Sequence, residues 1–536
     1  LSNSKADQTV WPSIFNDVIG PVMRGPSSSH CAAALRIGRL LRDFAGGDVG
    51  GLTVRFDVNG SLATTHASQG SDMGLMGGLL GWEATDVRLP EALEHARRAG
   101  IAVQFEIGDY GFHHPNTYRF ELILDGQGHT LSAISTGGGM IELIELEGIS
   151  VSIVGDYYET LFFVDGDGQE LAAALKREAT AEAVLYHGAI ETSIVEVKAL
   201  GFLDAGLLDN LRHRFGIRSV KTLAPVLPVL SRREMRVPFT NCADMLTFNE
   251  GRNLALWQLA LEYECARGAM SPEAVWQQMG DVVDIVTRSI AEGIAGTQYP
   301  DRILGWQSGR FDQRLAEGRL LDAGMFNGMI RAVSALMEVK SSMGVIVAAP
   351  TAGSCAGLPG ACIAAAQALG VSRDEQIKAL LAAGLIGVFI AARSTFAAEV
   401  GGCQAECGSG SGMAAAALVS LAGGTLRQGL TAASMALQNL LGLVCDPVAN
   451  RVEVPCLGKN VLAAGNALAC ANMALADYDG VIPLDEVIEA MDRVGRSLPR
   501  ELRCTALGGL STTPTARKIE GCLALNERRN KVSDLI

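Results

Sequence analysis

The sequence predicts three successive blocks: an α+β N-terminal domain over 1–156, a βαββαβ middle domain over 157–230, and an all-α C-terminal domain over 231–536. Three observations predict them. Leu52–Val58, Ala102–Ile107 and Tyr118–Leu124 read as strands, and Ala32–Phe44 reads as an amphipathic helix. Shorter elements then follow in strand–helix–strand–strand–helix–strand order. Beyond about Ser231 the composition turns to Ala, Gly, Leu and Met, with helical periodicity nearly throughout. At 536 residues the chain is too long for one ordinary domain.

The middle block comprises strands at Tyr158–Val164, Ala183–Tyr186, Ser193–Leu200 and Val220–Leu230, with helices at Gly168–Ala179 and Leu207–Phe215. This order is the ferredoxin-like arrangement. It resembles the ACT domain, a small amino-acid-sensing module, although the Asp-x-Pro-Gly turn such sensors usually carry is not found. In the C-terminal block, Ala- and Gly-rich helices pack with close backbones and can hold loops rigidly around a buried centre.

Bulk properties narrow the function classes. A mean hydropathy of +0.23 suits an enzyme with a large core, and a net charge of −14 without any Lys/Arg cluster argues against nucleic-acid binding. Twelve cysteines in mostly apolar surroundings point to a reduced, cytoplasmic protein and not to a disulfide framework. Leu1–Pro12 is polar and reads as no signal peptide. The apolar runs at Gly429–Cys445, interrupted by Thr431, Ser434, Gln438 and Asn439, and at Ala379–Ala392 are expected to be core helices, with no membrane span. Large apolar helices suggest a homo-oligomer, a dimer being the simplest. No GxGxxG follows a strand, and neither a P-loop nor a pyridoxal phosphate signature is found.

Chemistry concentrates in the cysteines. Cys355 closes Ala349-Pro350-Thr351-Ala352-Gly353-Ser354-Cys355, and Cys403 and Cys407 lie in Gly401-Gly402-Cys403-Gln404-Ala405-Glu406-Cys407-Gly408. Three thiolates without an obvious fourth suit an iron–sulfur cluster with one iron open as a Lewis acid. The bland alternative is that they are small buried apolar residues, which free cysteines usually are. Against it, Gly402, Gly408, Gly410 and Gly412 allow the close backbone approach that thiolate ligands need. Cys445 and Cys456 are rival ligands.

All eight histidines precede residue 214. A local Cys/His zinc site in the C-terminal half is therefore impossible, and a histidine acting on a substrate held at the cysteines would place the active site between domains. Gly25-Pro26-Ser27-Ser28-Ser29-His30 runs into a helix, whose start caps with serine and favours an anion such as a carboxylate. A plain cap needs only one serine. His113-His114-Pro115-Asn116-Thr117 reads equally as a binding turn or a structural one. Ser135-Thr136-Gly137-Gly138-Gly139 reads as a closing loop or a bulge.

Taken together, Ile19-Gly20-Pro21-Val22-Met23 with Gly25–His30, His114–Thr117 and Gly137–Gly139 resemble the β part of iron–sulfur L-serine dehydratase (L-serine ammonia-lyase). Ala349–Ser354, Gly402–Glu406, Cys445-Asp446-Pro447-Val448, Val454-Pro455-Cys456 and Gly508-Gly509-Leu510 resemble its α part, so that both parts are fused over nearly the whole chain. The resemblance implies a [4Fe-4S] cluster whose open iron takes the substrate's β-hydroxyl. A base removes the α-proton, and the product enamine becomes an imine that hydrolyses to a 2-oxo acid and ammonia. On this reading Cys355, Cys403 and Cys407 hold the cluster, while Ser27, Ser28, Ser29, Asn116, Thr351 and Gly353 hold an amino-acid substrate. The proton carrier is His66, His114 or His30.

The chain departs from the family in four places. Gln69 in Ser68-Gln69-Gly70-Ser71-Asp72 replaces a family histidine, and Ser411 stands where single-chain relatives have their third cysteine. Cys504 stands where an acidic residue is expected, and the chain ends Val532-Ser533-Asp534-Leu535-Ile536, with no cysteine to plug a cluster. The third ligand is thus open among Cys407, Cys445 and Cys504. The rival readings are a family member with a shifted 2-amino or 2-hydroxy acid substrate, and a non-catalytic amino-acid or cluster sensor.

Overall fold

The computed structural model describes residues 11–188 and 192–533, with side chains described as far as residue 523. The chain divides into two compact units: Ser29–Met235 belongs to the first, while Pro12–Ser28 joins Arg236–Ile536 in the second.

In the first unit, strands β1 (Val49–Asp57), β2 (Ala102–Gly108), β3 (Thr117–Leu124), β4 (Gln127–Gly137), β5 (Met140–Leu146) and β6 (Ile149–Ile153) form one sheet. Its order is β2-β1-β3-β4-β5-β6, antiparallel except for the parallel β1–β2 pair. The alternation at Leu52, Val54 and Phe56 puts those side chains into the core, where Ile37, Leu40, Leu41 and Phe44 of helix Ala33–Ala45 meet them. A bulge at Ser135–Gly137 closes the glycine hairpin, whose three glycines have φ of +106°, +60° and +86°.

Helix Ser71–Leu79 packs on Ala33–Ala45 backbone to backbone. A Cβ at Gly74 would stand 2.2 Å from Cys31 O, and one at Gly78 only 2.1 Å from Leu35 O. These glycines therefore set the approach of the two helices.

Strands β7 (Tyr158–Asp165), β8 (Ala183–Gly188), β9 (Thr192–Ala199) and β10 (Ile217–Leu223) form a second, wholly antiparallel sheet in the order β10-β7-β9-β8. One face, through Phe162, Val164, Val195 and Val197, covers Leu171, Leu175 and Leu211 of helices Gln169–Glu178 and Ala205–Arg214. The other face, through Leu161, Phe163 and Ile194, joins the core of the six-stranded sheet. The last strand is shorter than the Val220–Leu230 expected. Pro225 and Pro228 lack the N–H a ladder needs, and Ala224 N–H turns instead to Asp43.

The regular structure described in the second unit is mostly helical, and Val22–Arg24 pairs antiparallel with Val345–Val347. Ahead of Val22–Arg24, Glu264 anchors the chain at Ser13 and Ile14, accepting from Ser13 Oγ at 2.5 Å and Ile14 N–H at 2.8 Å. Helices Gly357–Leu369, Arg373–Arg393 and Ser409–Leu421 are buried along most of their length. Arg373–Arg393 is longer than the apolar run at Ala379–Ala392. With Ala352–Leu369 it is long and apolar enough to cross a bilayer, yet both are mostly buried within the protein. The run Gly429–Cys445 is not one helix, because Leu426–Gln438 ends before it does.

Replacing Gly78 by Ala should destabilise the first unit by about 2 kcal/mol, since its methyl group meets a carbonyl oxygen that only a helix shift can relieve. Denaturant unfolding would read this as a lower midpoint; an unchanged midpoint would show that the helices can move apart freely.

Candidate active site

The glycine loops of the second unit converge on buried thiols. Gly402 (φ +71°) takes a conformation side chains disfavour, and a Cβ there would lie 2.6 Å from Leu498 Cδ1 and 3.0 Å from Leu443 O. Cys403 leads into a wide turn, Gln404–Gly408, which continues as helix Ser409–Leu421. Gln404 fastens this turn. Its N–H donates to Leu443 O (3.0 Å), its Nε2 donates to Met491 O (2.7 Å), and its Oε1 accepts from Gly442 N–H (2.8 Å). Cys445 is thereby held beside Cys403.

Cys403, Cys407, Cys445, Ala398 and Ala463 form one buried group, with Leu443 and Cys504 packed against it. Within it Cys407 neighbours Cys403, and Cys504 neighbours Cys445. Contact with Cys403, then burial, pushes the Cys407 thiol well up, and contact with Cys504, then burial, does the same to Cys445. Cys456, buried at the start of helix Cys456–Leu475, is raised by burial, while the nearby Lys340 cation opposes the shift. Cys355 is buried but is not part of the packed group. Burial raises its thiol to about 11, and Lys340 and Glu406 are its charged neighbours.

Asn460 connects these segments. Its Nδ2 donates to Gly353 O (2.9 Å), to Cys456 O (2.9 Å) and, at 3.7 Å, to Cys407 Sγ. Its Oδ1 accepts from Ala356 N–H (3.2 Å) and Gly357 N–H (2.9 Å). Thr351 Oγ1 donates to Glu406 Oε1 at 2.6 Å, and a Cβ at Gly353 would stand 2.8 Å from that oxygen. Burial lifts the Glu406 carboxyl to about 7, against the hydrogen bond from Thr351. Asp446 accepts from Leu510 N–H (2.9 Å) and from Lys459 Nζ (2.8 Å), which ties the Gly508–Leu510 motif to the loop of Cys445. Lys340 is fully buried, with its ammonium on Val452 O.

Sequence reasoning did not single out Glu406, Lys340, Asn460 or Lys459 as site residues. Lys340 and Asn460 carried a signal, each being a polar residue on the apolar stripe of a helix, where an unpaired polar group is costly. Among the described residues, no three His, Cys, Asp or Glu side chains are grouped as one metal ion would require.

In the first unit the structure links the predicted histidines. His30 Nε2 lies 2.8 Å from Thr65 Oγ1, which donates to Ser61 O at 2.6 Å. Ser61 Oγ bonds Asn116 Oδ1, and Asn116 N–H donates to His114 Nδ1 at 3.2 Å. His66 Nδ1 pairs with Asp72 Oδ1 at 2.7 Å, and its ring lies against Phe56 and Phe105 at 4.8 Å and 5.4 Å between centroids. Burial lowers His114, and burial followed by the charge of His66 lowers His30 to about 4. Gln69 accepts the Cys31 thiol on its backbone carbonyl. The Ser135 hydroxyl is buried and has no hydrogen-bond partner among the described residues.

The serine cluster differs from the expected helix cap. Ser28–Ala32 forms a wide turn ahead of the regular helix, which begins at Ala33 with Ala32 as its cap residue and no side-chain cap. The division of the chain falls between Ser28 and Ser29, so Ser27 and Ser28 belong with the second unit and Ser29 with the first.

A family model described as serine dehydratase alpha chain matches residues 251–511. The probable L-serine dehydratase alpha chain of Bacillus subtilis is 36% identical over 282 residues, spanning 53% of this chain and 94% of that one. The L-serine dehydratase alpha chain of Peptoniphilus asaccharolyticus is 38% identical over 270 residues, spanning 50% of this chain and 92% of that one. The probable L-serine dehydratase beta chain of B. subtilis is 42% identical over 148 residues, spanning 27% of this chain and 66% of that one.

His30 makes stability depend on pH. Its folded value of about 4 lies below the ordinary 6.5, so the unfolded chain binds the proton first. The stability present above 6.5 is then lost as pH falls towards 4, by on the order of 3 kcal/mol. His30→Asn should flatten this part of the stability–pH curve; an equally steep curve in the variant would assign the loss to other groups.

Proposed function

We propose, because the chain belongs to the family of L-serine dehydratase alpha chains, that it is a lyase converting L-serine, or a close β-hydroxy amino acid, to a 2-oxo acid and ammonia. The observation that carries this reading is the convergence of cysteines within the stretch that the family model matches. Resemblance to a beta chain supports reading the N-terminal part in that role within the same polypeptide.

The donor set fits an iron–sulfur cluster. Soft thiols come from separate segments, with alanines and Leu443 beside them. Each thiolate of such a cluster binds a different iron, so the ligands need not crowd one point as those of a single ion do. Cys403 and Cys445, from different loops, would hold it, with Cys456, Cys407 or Cys355 completing the set. When bound, a cluster with an open iron supplies a Lewis acid for the departing hydroxyl.

The remaining work falls to this chain's own side chains. Of the three histidines, His66 has the hydrogen bonding that best suits a proton acceptor: Asp72 takes its Nδ1–H and leaves Nε2 free of that bond. His30 is less suited, because its Nε2 is engaged by Thr65 and burial holds it to about 4. The Ser27–Ser29 turn offers hydroxyl donors to a substrate carboxylate, and Thr351, whose own proton goes to Glu406, offers Oγ1 as an acceptor to the substrate ammonium. The order of β7–β10 supports an ACT-like, amino-acid-sensing role for the middle block.

Anaerobically purified protein should contain iron and sulfide and form pyruvate and ammonia from L-serine. Cys403→Ala should lose the iron and about a hundredfold or more of the activity. Unchanged iron would refute the ligand assignment, and turnover without iron would refute the cluster. His66→Asn should lower kcat by about 10²–10⁴-fold with iron retained. If wild type holds iron but ignores serine, a panel of other 2-amino and 2-hydroxy acids becomes the test of a shifted substrate.

A further inference from the structure

We propose that Cys445 and Cys504 form a reversible disulfide whose closure withdraws Cys445 from the cysteine centre; the second half of this statement rests on the cluster reading above. The backbone sets the two residues side by side. Cys445 N–H donates to Leu502 O at 2.8 Å, Cys504 N–H donates to Cys445 O at 2.9 Å, and a β-bridge joins Cys445 to Arg503. Their side chains are neighbours as well, since Cys504 packs against the buried group that contains Cys445.

Cys504 is held at φ +60°, in the left-handed region that side chains rarely adopt. Its Cα is therefore placed by the surrounding backbone pairing and not by local preference. Cys445 belongs to the buried group of thiols and Cys504 only packs against it, so Cys504 is the spare sulfur of this pair. Cys403 and Cys407 are also neighbours, but they lie on one turn of chain. Cys445 and Cys504 come from segments 59 residues apart in sequence and meet through tertiary structure.

As a residue Cys504 is half-buried, whereas Cys445 is buried; thiol–disulfide exchange can start at Cys504, and starting at Cys445 gives the same products. With a small-molecule disulfide such as glutathione disulfide, the Cys504 thiolate attacks one sulfur, forming a mixed disulfide and releasing one glutathione. The Cys445 thiolate then attacks the Cys504 sulfur and expels the second glutathione. Two protein thiols are oxidised and one glutathione disulfide is reduced, and the two thiol protons end on the two glutathione molecules released.

The test uses the full chain, purified anaerobically, freed of iron with a chelator, treated with glutathione disulfide and then alkylated. Trypsin should yield peptides 428–451 and 504–517 joined, each carrying a single cysteine, and dithiothreitol should separate them. Recovery of the two peptides alkylated and unjoined, or of Cys445 joined to another cysteine, overturns the proposal. In parallel, the oxidised wild type should take up iron and sulfide at least about tenfold less than the reduced protein, while Cys504→Ser should take them up after either treatment. Joined peptides with undiminished iron uptake would leave the disulfide standing and overturn its competition with the cluster. If reduced wild type takes up no iron, the cluster reading itself fails while the peptide result still decides the disulfide.

Discussion

The side-chain amide of Asn460 is the contact on which the cysteine centre depends. It is fully buried and reaches the Gly353 loop, the start of helix Gly357–Leu369, the Cys407 thiol and the Cys456 carbonyl. A buried amide that lost one of these partners would leave a polar atom unpaired in an apolar interior, so each segment is held to the position that satisfies it. Glu406 and Lys340 act in the same way. A carboxyl and an ammonium buried this deeply must keep their partners Thr351 and Val452, and those partners lie on the loops around the thiols. Close-packed Ala- and Gly-rich helices then exclude the space into which the loops could relax.

Local signals made much of the fold legible. Alternation at Leu52–Phe56 and the amphipathic stretch from Ala32 gave sheet and helix because both sides of those elements differ in burial. The βαββαβ order was readable for the same reason. What could not be read depends on contacts remote in sequence. Val22–Arg24 pairs with Val345–Val347 more than three hundred residues away, and nothing in either triplet names the other. The shortened last strand was foreseeable from Pro225 and Pro228, whose missing N–H groups outweigh the valines and leucines around them.

The candidate site divides in the same manner. Gly402, Cys403 and Thr351 stood out because glycine-rich loops with a thiol or hydroxyl are uncommon in an apolar helical region. The grouping of Cys403 with Cys445 and Cys504, and the separation of Cys355 from them, belongs to tertiary packing and leaves no spacing rule in the chain. The pairing of His66 with Asp72 was close to legible, being six residues apart, but it depends on the turn at Gly70 (φ +84°) that brings the start of the next helix back toward the imidazole. Imidazoles and thiols thus occupy different stretches of chain, all eight histidines lying before residue 214 and the glycine-loop cysteines beyond 350.

On the proposed function these thiols hold a cluster with an iron open to substrate. Its most direct test is to record the Mössbauer spectrum of anaerobic, iron-57-loaded protein before and after adding L-serine. One iron site should shift on serine addition while the others stay unchanged. A spectrum with all irons equivalent and insensitive to serine would contradict it.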